Sequence, residues 1–314
     1  MRRSGFAMFV SLAVLVGLAA GCGSSDEIGS GSDAGESTEP LRVGAIPDQD
    51  PEILQRRFDL VADHLAEELG VEVEYVPVTD YLGAVTGFSV GDLDLVWFGG
   101  LTGVQARLEV DGAHAIVQRD IDEAFTSVFV AGADSGIAPI ADTAGLSTLA
   151  GTSLAFGSES STSGRLMPSF FLVEAGLATD TDFDGPPVFS GSHDATIALV
   201  EAGSVDVGAL NSQVWDTRVA DGEVDTDAVV EIFRTPTYHD YHWVARPGLD
   251  ERYGDGFTER IVAAFVDLDA ADDTDPDNTD AEILELFGAD AFIATDDANY
   301  DAIESVARDL GLVR

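Results

Sequence analysis

Residues 157–168 concentrate side-chain hydroxyls where a predicted strand meets a predicted helix. The segment reads GSESSTSGRLMP and lies between two apolar runs. A helix N-terminus offers free backbone N–H groups and the positive end of the helix dipole, and serine and threonine hydroxyls donate further hydrogen bonds. The segment therefore predicts a binding site for a small oxyanion. Capping of the helix by one serine, with the other hydroxyls in a loop, is the alternative.

Two further strand-to-helix junctions are polar. Residues 190–196, SGSHDAT, place His193 at the start of a helix, where it could donate to an anion or lie on the surface of a capping motif. Residues 211–215, NSQVW, place Gln213 in a first helical turn. Open α/β sheets bind ligands at the carboxyl ends of parallel strands, which is where such junctions lie. The three junctions together indicate a ligand site more strongly than any one of them.

Aromatic and ionisable residues are concentrated in residues 235–243, TPTYHDYHW. A metal site from His239, Asp240 and His242 is conceivable. The alternation of a strand would, however, put the two histidines on different faces. We therefore favour an aromatic lining of a cleft between two lobes over a metal site.

The sequence offers the residue types of a hydrolase without the arrangement that a hydrolase needs. Ser163, His193 and Asp206 could supply nucleophile, base and acid. No GxSxG nucleophile elbow accompanies them. We therefore expect neither catalysis nor a cofactor.

The elements that must position these residues alternate between strands and helices from residue 41 onward. One run of β-α units is followed after Leu149 by a second, and paired extended segments flank the second run. The pattern predicts an α/β fold of two lobes joined by two crossover strands. The predicted boundaries are residues 41–125 plus 240–314 for lobe 1 and residues 126–239 for lobe 2. The C-terminal helices are expected to return to lobe 1.

The charge of the chain restricts its partners. The 314 residues include 58 acidic and 15 basic residues, the latter all arginine, which gives a formal net charge of −43. Such a chain repels nucleic acid and anionic lipid, and neither is an expected partner. It also repels an anionic ligand at long range, so an anion site must rely on local dipoles rather than on net charge.

The N-terminus has the features of a bacterial lipoprotein signal peptide. Residues 1–22 read MRRSGFAMFVSLAVLVGLAAGC, with two arginines, an apolar stretch and small residues directly before Cys22. We predict that residues 1–21 are removed and that Cys22, the single cysteine, is lipidated. A short transmembrane anchor is the alternative. Residues 22–40 are rich in glycine, serine and acids and are expected to form a flexible tether.

Several short motifs, taken in order, resemble those of the phosphonate-type substrate-binding proteins of ABC transporters. They are IPDQDP (46–51), DY (80–81), VWFGG (96–100), SSTSG (160–164), GSHDAT (191–196), VDVG (205–208) and TPTYHDYHW. A branch labelled putative selenate-binding is more similar still, in WFGG, HDAT and DYHW. The resemblance implies a periplasmic-binding fold of type II, with two lobes of mixed sheets that close on a ligand. It also implies a monomer that works with an ABC permease and its ATPase.

The resemblance further implies which residues hold the ligand. The oxyanion ligands of the family match Ser161, Thr162, Ser163 and His193, and the DY motif adds Tyr81. The implied ligand is a small tetrahedral oxyanion, bound at the cell surface or in the periplasm by a lipid-anchored protein. A sensory module that presents its ligand to a membrane receptor is the alternative, and an ester hydrolase is a third hypothesis.

Three positions affect which oxyanion is expected. Phe98 stands where the family has a tyrosine after the tryptophan, so one hydroxyl contact is lost. Gln213 aligns with a glutamate that receives the amine of aminophosphonates, and Asp240 with a second acidic ligand. Loss of the glutamate favours a simple anion over an aminophosphonate. If Asp240 faces the anion, protonated phosphonate, phosphite or phosphate is favoured, and if it turns away, selenate or sulfate fits.

Overall fold

The structure is a computed structural model that describes residues 39–271 and 279–314. The predicted signal peptide, Cys22 and nearly all of the predicted tether lie outside the described residues. Within the described ranges, no helix is both long enough and apolar enough to cross a membrane.

Strands and helices alternate along most of the described chain. The strands are β1 (Leu41–Ala45), β2 (Val73–Tyr75), β3 (Leu95–Phe98), β4 (His114–Arg119), β5 (Ser127–Gly132), β6 (Leu154–Phe156), β7 (Val188–Phe189), β8 (Val207–Asn211), β9 (Val229–Arg234), β10 (His242–Ala245) and β11 (Phe292–Ala294). The helices are α1 (Pro51–Leu69), α2 (Tyr81–Val90), α3 (Gly100–Glu109), α4 (Met167–Glu174), α5 (His193–Glu201), α6 (Ser212–Ala220), α7 (Leu249–Tyr253), α8 (Phe257–Val266), α9 (Asp280–Phe287) and α10 (Asp301–Asp309). A π-helical turn, Thr162–Leu166, directly precedes α4.

A six-stranded sheet forms the centre of lobe 1, with the strand order β11-β4-β10-β3-β1-β2. Strand β1 pairs in parallel with β2 and β3, whereas β10 lies antiparallel between β3 and β4. Strand β11 pairs antiparallel with β4. The C-terminal strand β11 therefore joins the same sheet as β1 to β4.

A five-stranded sheet forms the centre of lobe 2, with the strand order β7-β6-β8-β5-β9. Strand β6 pairs in parallel with β7 and β8, whereas β5 is antiparallel to β8 and β9. The β-α rhythm alone indicated parallel sheets. Both sheets are mixed because β5 and β10, the strands that follow the crossovers, insert antiparallel, and β11 adds a further antiparallel strand to the first sheet. The predicted α/β fold with mixed sheets is confirmed.

Two segments of chain connect the lobes, one between β4 and β5 and one between β9 and β10. They pair through reciprocal main-chain hydrogen bonds of 2.9 Å between Phe125 and Tyr238. The Tyr238 hydroxyl also lies 2.6 Å from Oγ of Ser127, at the start of β5. The predicted lobe boundaries near residues 125 and 240 fall in these segments and remain a prediction.

Capping residues mark the N-termini of the helices that face the cleft between the sheets. Asp50 caps α1 by accepting a hydrogen bond from the Glu52 amide at 2.9 Å, and Pro51 begins the first turn. Asp80 caps α2 by accepting from the Gly83 amide at 2.7 Å. Because α1 and α2 follow the parallel strands β1 and β2, their N-termini lie at the carboxyl edge of the sheet, where α/β proteins bind ligands.

Aromatic side chains fill the core of lobe 1. Phe58, Trp97, Trp243 and Phe287 are buried and meet one another at ring-centroid distances of 5.2 to 6.0 Å. Burying a side chain of this size contributes about 2–3 kcal/mol to stability. This packing fixes α9, through Phe287, against β3 and β10.

Some elements differ from the sequence prediction. Strand β11 and helix α7 were not predicted, because three and five residues are too short to show a period. Helix α3 begins at Gly100, with Gly99 as its N-cap residue. The helix that the sequence predicts at the hydroxyl-rich segment begins as the π-helical turn and ends at Glu174.

Candidate ligand-binding site

In the hydroxyl-rich turn after β6, one hydroxyl caps the π-helical turn and another is available to bind a ligand. Ser161 caps the π-helical turn, because its Oγ accepts a hydrogen bond from the Gly164 amide at 2.9 Å. Thr162 and Ser163 are buried, and Oγ of Ser163 has no hydrogen-bond partner within the described residues. The capping alternative thus explains one hydroxyl, and Ser163 keeps a free donor.

The N-terminus of α3 reaches across from lobe 1 to this turn. The Leu101 amide donates to Oγ1 of Thr162 at 2.9 Å, and the Gly100 amide donates to Oδ1 of Asp240 at 3.0 Å. A Cβ atom at Gly99 would lie 3.1 Å from Oγ1 of Thr162 and 3.2 Å from Oδ1 of Asp240. Glycine at position 99 therefore allows Thr162 and Asp240 to approach the main chain closely.

His193 lies against the same turn with a defined tautomer. A Cβ atom at Gly164 would lie 3.1 Å from Cε1 of the imidazole. The main-chain N–H of Asn211 donates to Nδ1 of His193 at 3.3 Å, so the proton of the neutral ring lies on Nε2. Burial lowers the pKa of His193 to about 4. His193 is therefore a neutral Nε2–H donor at physiological pH.

A network that the sequence did not predict joins His193 to lobe 1. The His193 amide donates to the carbonyl of Asp48 at 3.0 Å. The Tyr241 hydroxyl donates to Oδ2 of Asp48 at 2.8 Å, accepts from Nδ2 of Asn211 at 3.0 Å and lies 3.4 Å from Nε2 of His193. Asp48 and Tyr241 belong to motifs that carry the family resemblance, but nothing in their spacing indicated that they meet.

Tyr81 supplies a second donor from lobe 1. It is the first residue of α2, it is buried, and its hydroxyl faces Ser161 of the hydroxyl-rich turn. Burial, and then the charge of Asp48, raise the pKa of Tyr81 well above its ordinary value. The phenol therefore stays protonated and can donate to an anion.

Asp240 supplies the acceptor of the site. The residue is 1% exposed, and its Oδ2 has no hydrogen-bond partner among the described residues. Burial raises the pKa of Asp240 to about 7, although the hydrogen bond from the Gly100 amide opposes this shift. The carboxyl group can therefore gain or lose a proton near neutral pH.

Two predicted site residues have other contacts. Phe98 packs edge-on against Phe88 at 5.7 Å and offers no polar group. Nε2 of Gln213 donates to the carbonyl of Phe287 at 2.7 Å, and Oε1 accepts from Nη1 of Arg119 at 2.5 Å. A ligand-binding role for Phe98 and Gln213 stays a prediction that these contacts do not support.

The expected aromatic lining of the cleft from residues 235–243 is largely absent. Trp243 lies in the core of lobe 1, and His242 stacks on Tyr300 at 3.7 Å, because β10 is a central strand with both faces covered. Tyr241 alone of these three consecutive residues joins the network at the cleft.

Neither the metal site nor the hydrolase arrangement is found in the described residues. In ranges 39–271 and 279–314, no three His, Cys, Asp or Glu side chains are grouped so that they could hold a metal ion. Asp206 accepts hydrogen bonds from the amide and hydroxyl of Ser153 at 2.8 and 2.7 Å. It therefore belongs to the start of β8 rather than to a triad with Ser163 and His193.

The raised pKa of Asp240 predicts an unusual pH dependence of stability. Its folded pKa of about 7 exceeds the ordinary value of 3.8, so its stabilising contribution is present at low pH and is lost as the pH rises through 7. We compare the free energy of unfolding of Asp240→Asn with that of the unmodified protein. We expect the difference to change by roughly 2–4 kcal/mol in favour of Asp240→Asn as the pH rises from 4 to 8. Chemical denaturation of both ligand-free proteins across this range measures the difference, and a constant difference would contradict the shift.

Comparison with known proteins identifies the family of the chain. The model of the family described as the phosphonate periplasmic substrate-binding protein of ABC transporters matches residues 43–300. The chain is 46% identical over 275 residues to the probable ABC transporter phosphite binding protein PhnD1 of Prochlorococcus marinus, covering 87% of this chain and 91% of that protein. It is 30% identical over 224 residues to the phosphate-import protein PhnD of Mycolicibacterium smegmatis, covering 66% of this chain and 68% of that protein.

A solved structure extends the likeness to three dimensions. The structure of PhnD1 from Prochlorococcus marinus in complex with methylphosphonate matches with a TM-score of 0.83 and 45% identity. The match covers 87% of this chain and 98% of that one. The fold is therefore that of the type II periplasmic binding proteins, as the resemblance implied.

The relatives bind substrates in the periplasm as components of ABC transporters and are not enzymes. This agrees with the expected role beside a permease and its ATPase and with the expectation that the chain is not a catalyst. The finer association with selenate stays a prediction. The match over residues 43–300 and the 46% identity show that the chain belongs to the phosphonate-type periplasmic substrate-binding proteins of ABC transporters.

Proposed function

We propose that the chain captures a small phosphorus oxyanion that carries one P–OH group, of the methylphosphonate or phosphite class, and closes its two lobes over it. The observation that carries this proposal is the buried Oδ2 of Asp240, which lies beside a group of neutral donors and has no hydrogen-bond partner among residues 39–271 and 279–314. The proposed ligand residues are Tyr81, Ser161, Thr162, Ser163, His193 and Asp240.

The donors suit the oxygens of a tetrahedral anion. Tyr81 and Ser163 have free hydroxyls, His193 has an Nε2–H group, and the start of the π-helical turn adds backbone N–H groups. None of these groups carries a positive charge. Such a site does not depend on the net charge of −43, which would otherwise oppose the approach of an anion.

Asp240 distinguishes between anions by their protons. A P–OH group can donate to Oδ2 of the ionised carboxylate, whereas sulfate and selenate carry no proton at neutral pH and fit the site only when Asp240 itself is protonated. Because the pKa of Asp240 is about 7, the ligand and the carboxyl group can share one proton in the complex. The names of the relatives, phosphite binding protein and a complex with methylphosphonate, agree with this assignment.

The finer features of organisation belong to the same proposal. We infer two lobes, residues 41–125 plus 240–314 and residues 126–239, whose relative movement opens and closes the cleft. We also infer that residues 1–21 are a signal peptide, that Cys22 carries a lipid anchor, that residues 22–40 are a tether and that the protein acts as a monomer.

The pH dependence of binding tests the shared proton. The proposed complex holds one proton between Asp240 and the ligand. Below pH 7 both groups are protonated before binding, so binding must release a proton. Above pH 8 neither group is protonated, so binding must take up a proton. We expect the affinity for methylphosphonate to be highest near pH 7 and to fall up to about tenfold per pH unit on either side. Titration calorimetry from pH 5.5 to 9 at fixed salt measures this profile. A flat profile would contradict a proton shared with Asp240.

A further inference from the structure

We propose that Gln213 and Arg119 form an interlobe clasp that retains the ligand by holding the lobes closed, without contacting the ligand. The clasp comprises the side chains of Gln213 and Arg119 and the main-chain carbonyls of Phe287 and Gly288. Its geometry is independent of the ligand, although the kinetic test below rests on the proposed function for its probe.

Gln213 directs its amide group entirely at lobe 1. It lies in the first turn of α6 in lobe 2, and Nε2 donates to the carbonyls of Phe287 at 2.7 Å and Gly288 at 3.3 Å. Its Oε1 accepts from Nη1 of Arg119 at 2.5 Å. Both N–H donors and one acceptor site of a single side chain of lobe 2 are thus held by the opposite lobe.

The lobe 1 side of the clasp is fixed in place. Arg119, at the end of β4, is 4% exposed and donates from Nε and Nη2 to the two carboxylate oxygens of Asp122 at 2.7 and 2.8 Å. Its Nη1 also donates to the Phe287 carbonyl at 2.7 Å. The guanidinium stacks on Trp97 and Tyr241 at 5.4 and 5.0 Å. The position of Arg119 therefore does not depend on Gln213 or on a ligand.

The end of α9 is shaped to receive the glutamine. Gly288 ends α9 with φ of +59°, and a Cβ atom there would lie 1.9 Å from Nε2 of Gln213. A side chain at this position would therefore displace the glutamine amide. The carbonyls at the end of α9 also carry the negative end of the helix dipole, which favours a donor such as Nε2.

The clasp must break when the lobes separate. Its bonds join α6 of lobe 2 to β4 and α9 of lobe 1, whereas the bonds between Arg119 and Asp122 stay within lobe 1. Contacts made only in the closed state raise the population of that state and so slow the release of a ligand enclosed in the cleft. They have little effect on the first encounter of the ligand with the open protein.

Stopped-flow measurements of methylphosphonate binding to the full chain test whether the clasp slows release of the ligand without affecting its association. We expect Gln213→Ala to release the ligand about 10-fold faster, with an association rate within about twofold of the unmodified protein. Gly288→Ala, which disturbs the clasp from the other lobe, should have the same effect, with thermal unfolding as a check on folding. Thr217→Ala is the matched control, because Thr217 lies one turn further along α6 and is exposed.

Small-angle X-ray scattering of the ligand-free proteins provides a second test that needs no ligand. We expect a larger radius of gyration for Gln213→Ala than for the unmodified protein and for Thr217→Ala, because fewer molecules are closed. Unchanged release and unchanged scattering in Gln213→Ala would overturn the clasp. If methylphosphonate does not bind the unmodified protein, the proposed ligand is wrong, and the scattering comparison alone decides on the clasp.

Discussion

Replacement of Asp240 by asparagine is expected to lower the affinity for methylphosphonate and phosphite by about 100-fold. The amide oxygen can still accept from the Gly100 amide, as Oδ1 of Asp240 does at 3.0 Å. The amide nitrogen then occupies the position of Oδ2 and presents a donor where the P–OH group needs an acceptor. Loss of a buried charge-assisted hydrogen bond of this kind costs about 3 kcal/mol.

The same substitution should improve binding of anions without a proton. Sulfate and selenate would gain a donor and lose a repelling carboxylate, and we expect their affinity to rise by about tenfold. Titration calorimetry of Asp240→Asn and the unmodified protein with methylphosphonate and sulfate, at the same pH and salt, measures both changes. Equal losses for both anions would mean that the substitution damages the cleft, and no change for either would mean that Asp240 does not face the ligand.

Replacement of Thr162 by valine is expected to weaken methylphosphonate binding by about 5- to 150-fold, which corresponds to about 1–3 kcal/mol. Valine keeps the shape of threonine but removes a hydroxyl that interacts with the carboxyl group of Asp240 in a desolvated site. It also leaves the Leu101 amide, which donates to Oγ1 of Thr162 at 2.9 Å, without an acceptor. The two effects act together, because this hydrogen bond joins the lobes at the ligand.

Thr235→Val is the matched control for the threonine substitution. Oγ1 of Thr235 accepts from the Ser127 amide at 2.9 Å and is also buried, but the residue lies directly after β9 and outside the proposed site. We expect Thr235→Val to lose stability and to keep its affinity for methylphosphonate within about twofold. Unchanged affinity in Thr162→Val would remove the hydroxyl turn from the proposed site.

The junction motifs could be found from sequence because each of them is local. The hydroxyls of residues 158–163 follow a recognisable strand, and His193 follows a serine that caps its helix, with Oγ of Ser192 accepting from the Ala195 amide at 3.3 Å. A helix N-terminus after a parallel strand has a known position in an α/β sheet. These features were enough to predict an anion site in lobe 2.

The rest of the site depends on how the lobes meet, which local pattern does not contain. The Tyr241 hydroxyl forms hydrogen bonds with Asp48 and Asn211, although the three residues are distant in sequence. Gln213 was aligned with a ligand residue, but its hydrogen bonds join α6 to α9. The sequence could not predict that Oδ2 of Asp240 lacks a partner among the described residues. This depends on the tertiary contact in which the Gly100 amide, at the N-terminus of α3, donates to the other carboxylate oxygen, Oδ1.

One measurement tests the central claim most directly. It is the titration calorimetry of the purified full chain, freed of phosphate, against methylphosphonate, phosphite, phosphate, sulfate and selenate at pH 7 and fixed moderate salt. The acceptor on ionised Asp240 predicts tight binding of methylphosphonate or phosphite and weaker binding of sulfate and selenate, which fit the site only when Asp240 itself is protonated. Tight binding of sulfate or selenate, with weak binding of every phosphorus oxyanion, would contradict a ligand that donates its proton to Asp240.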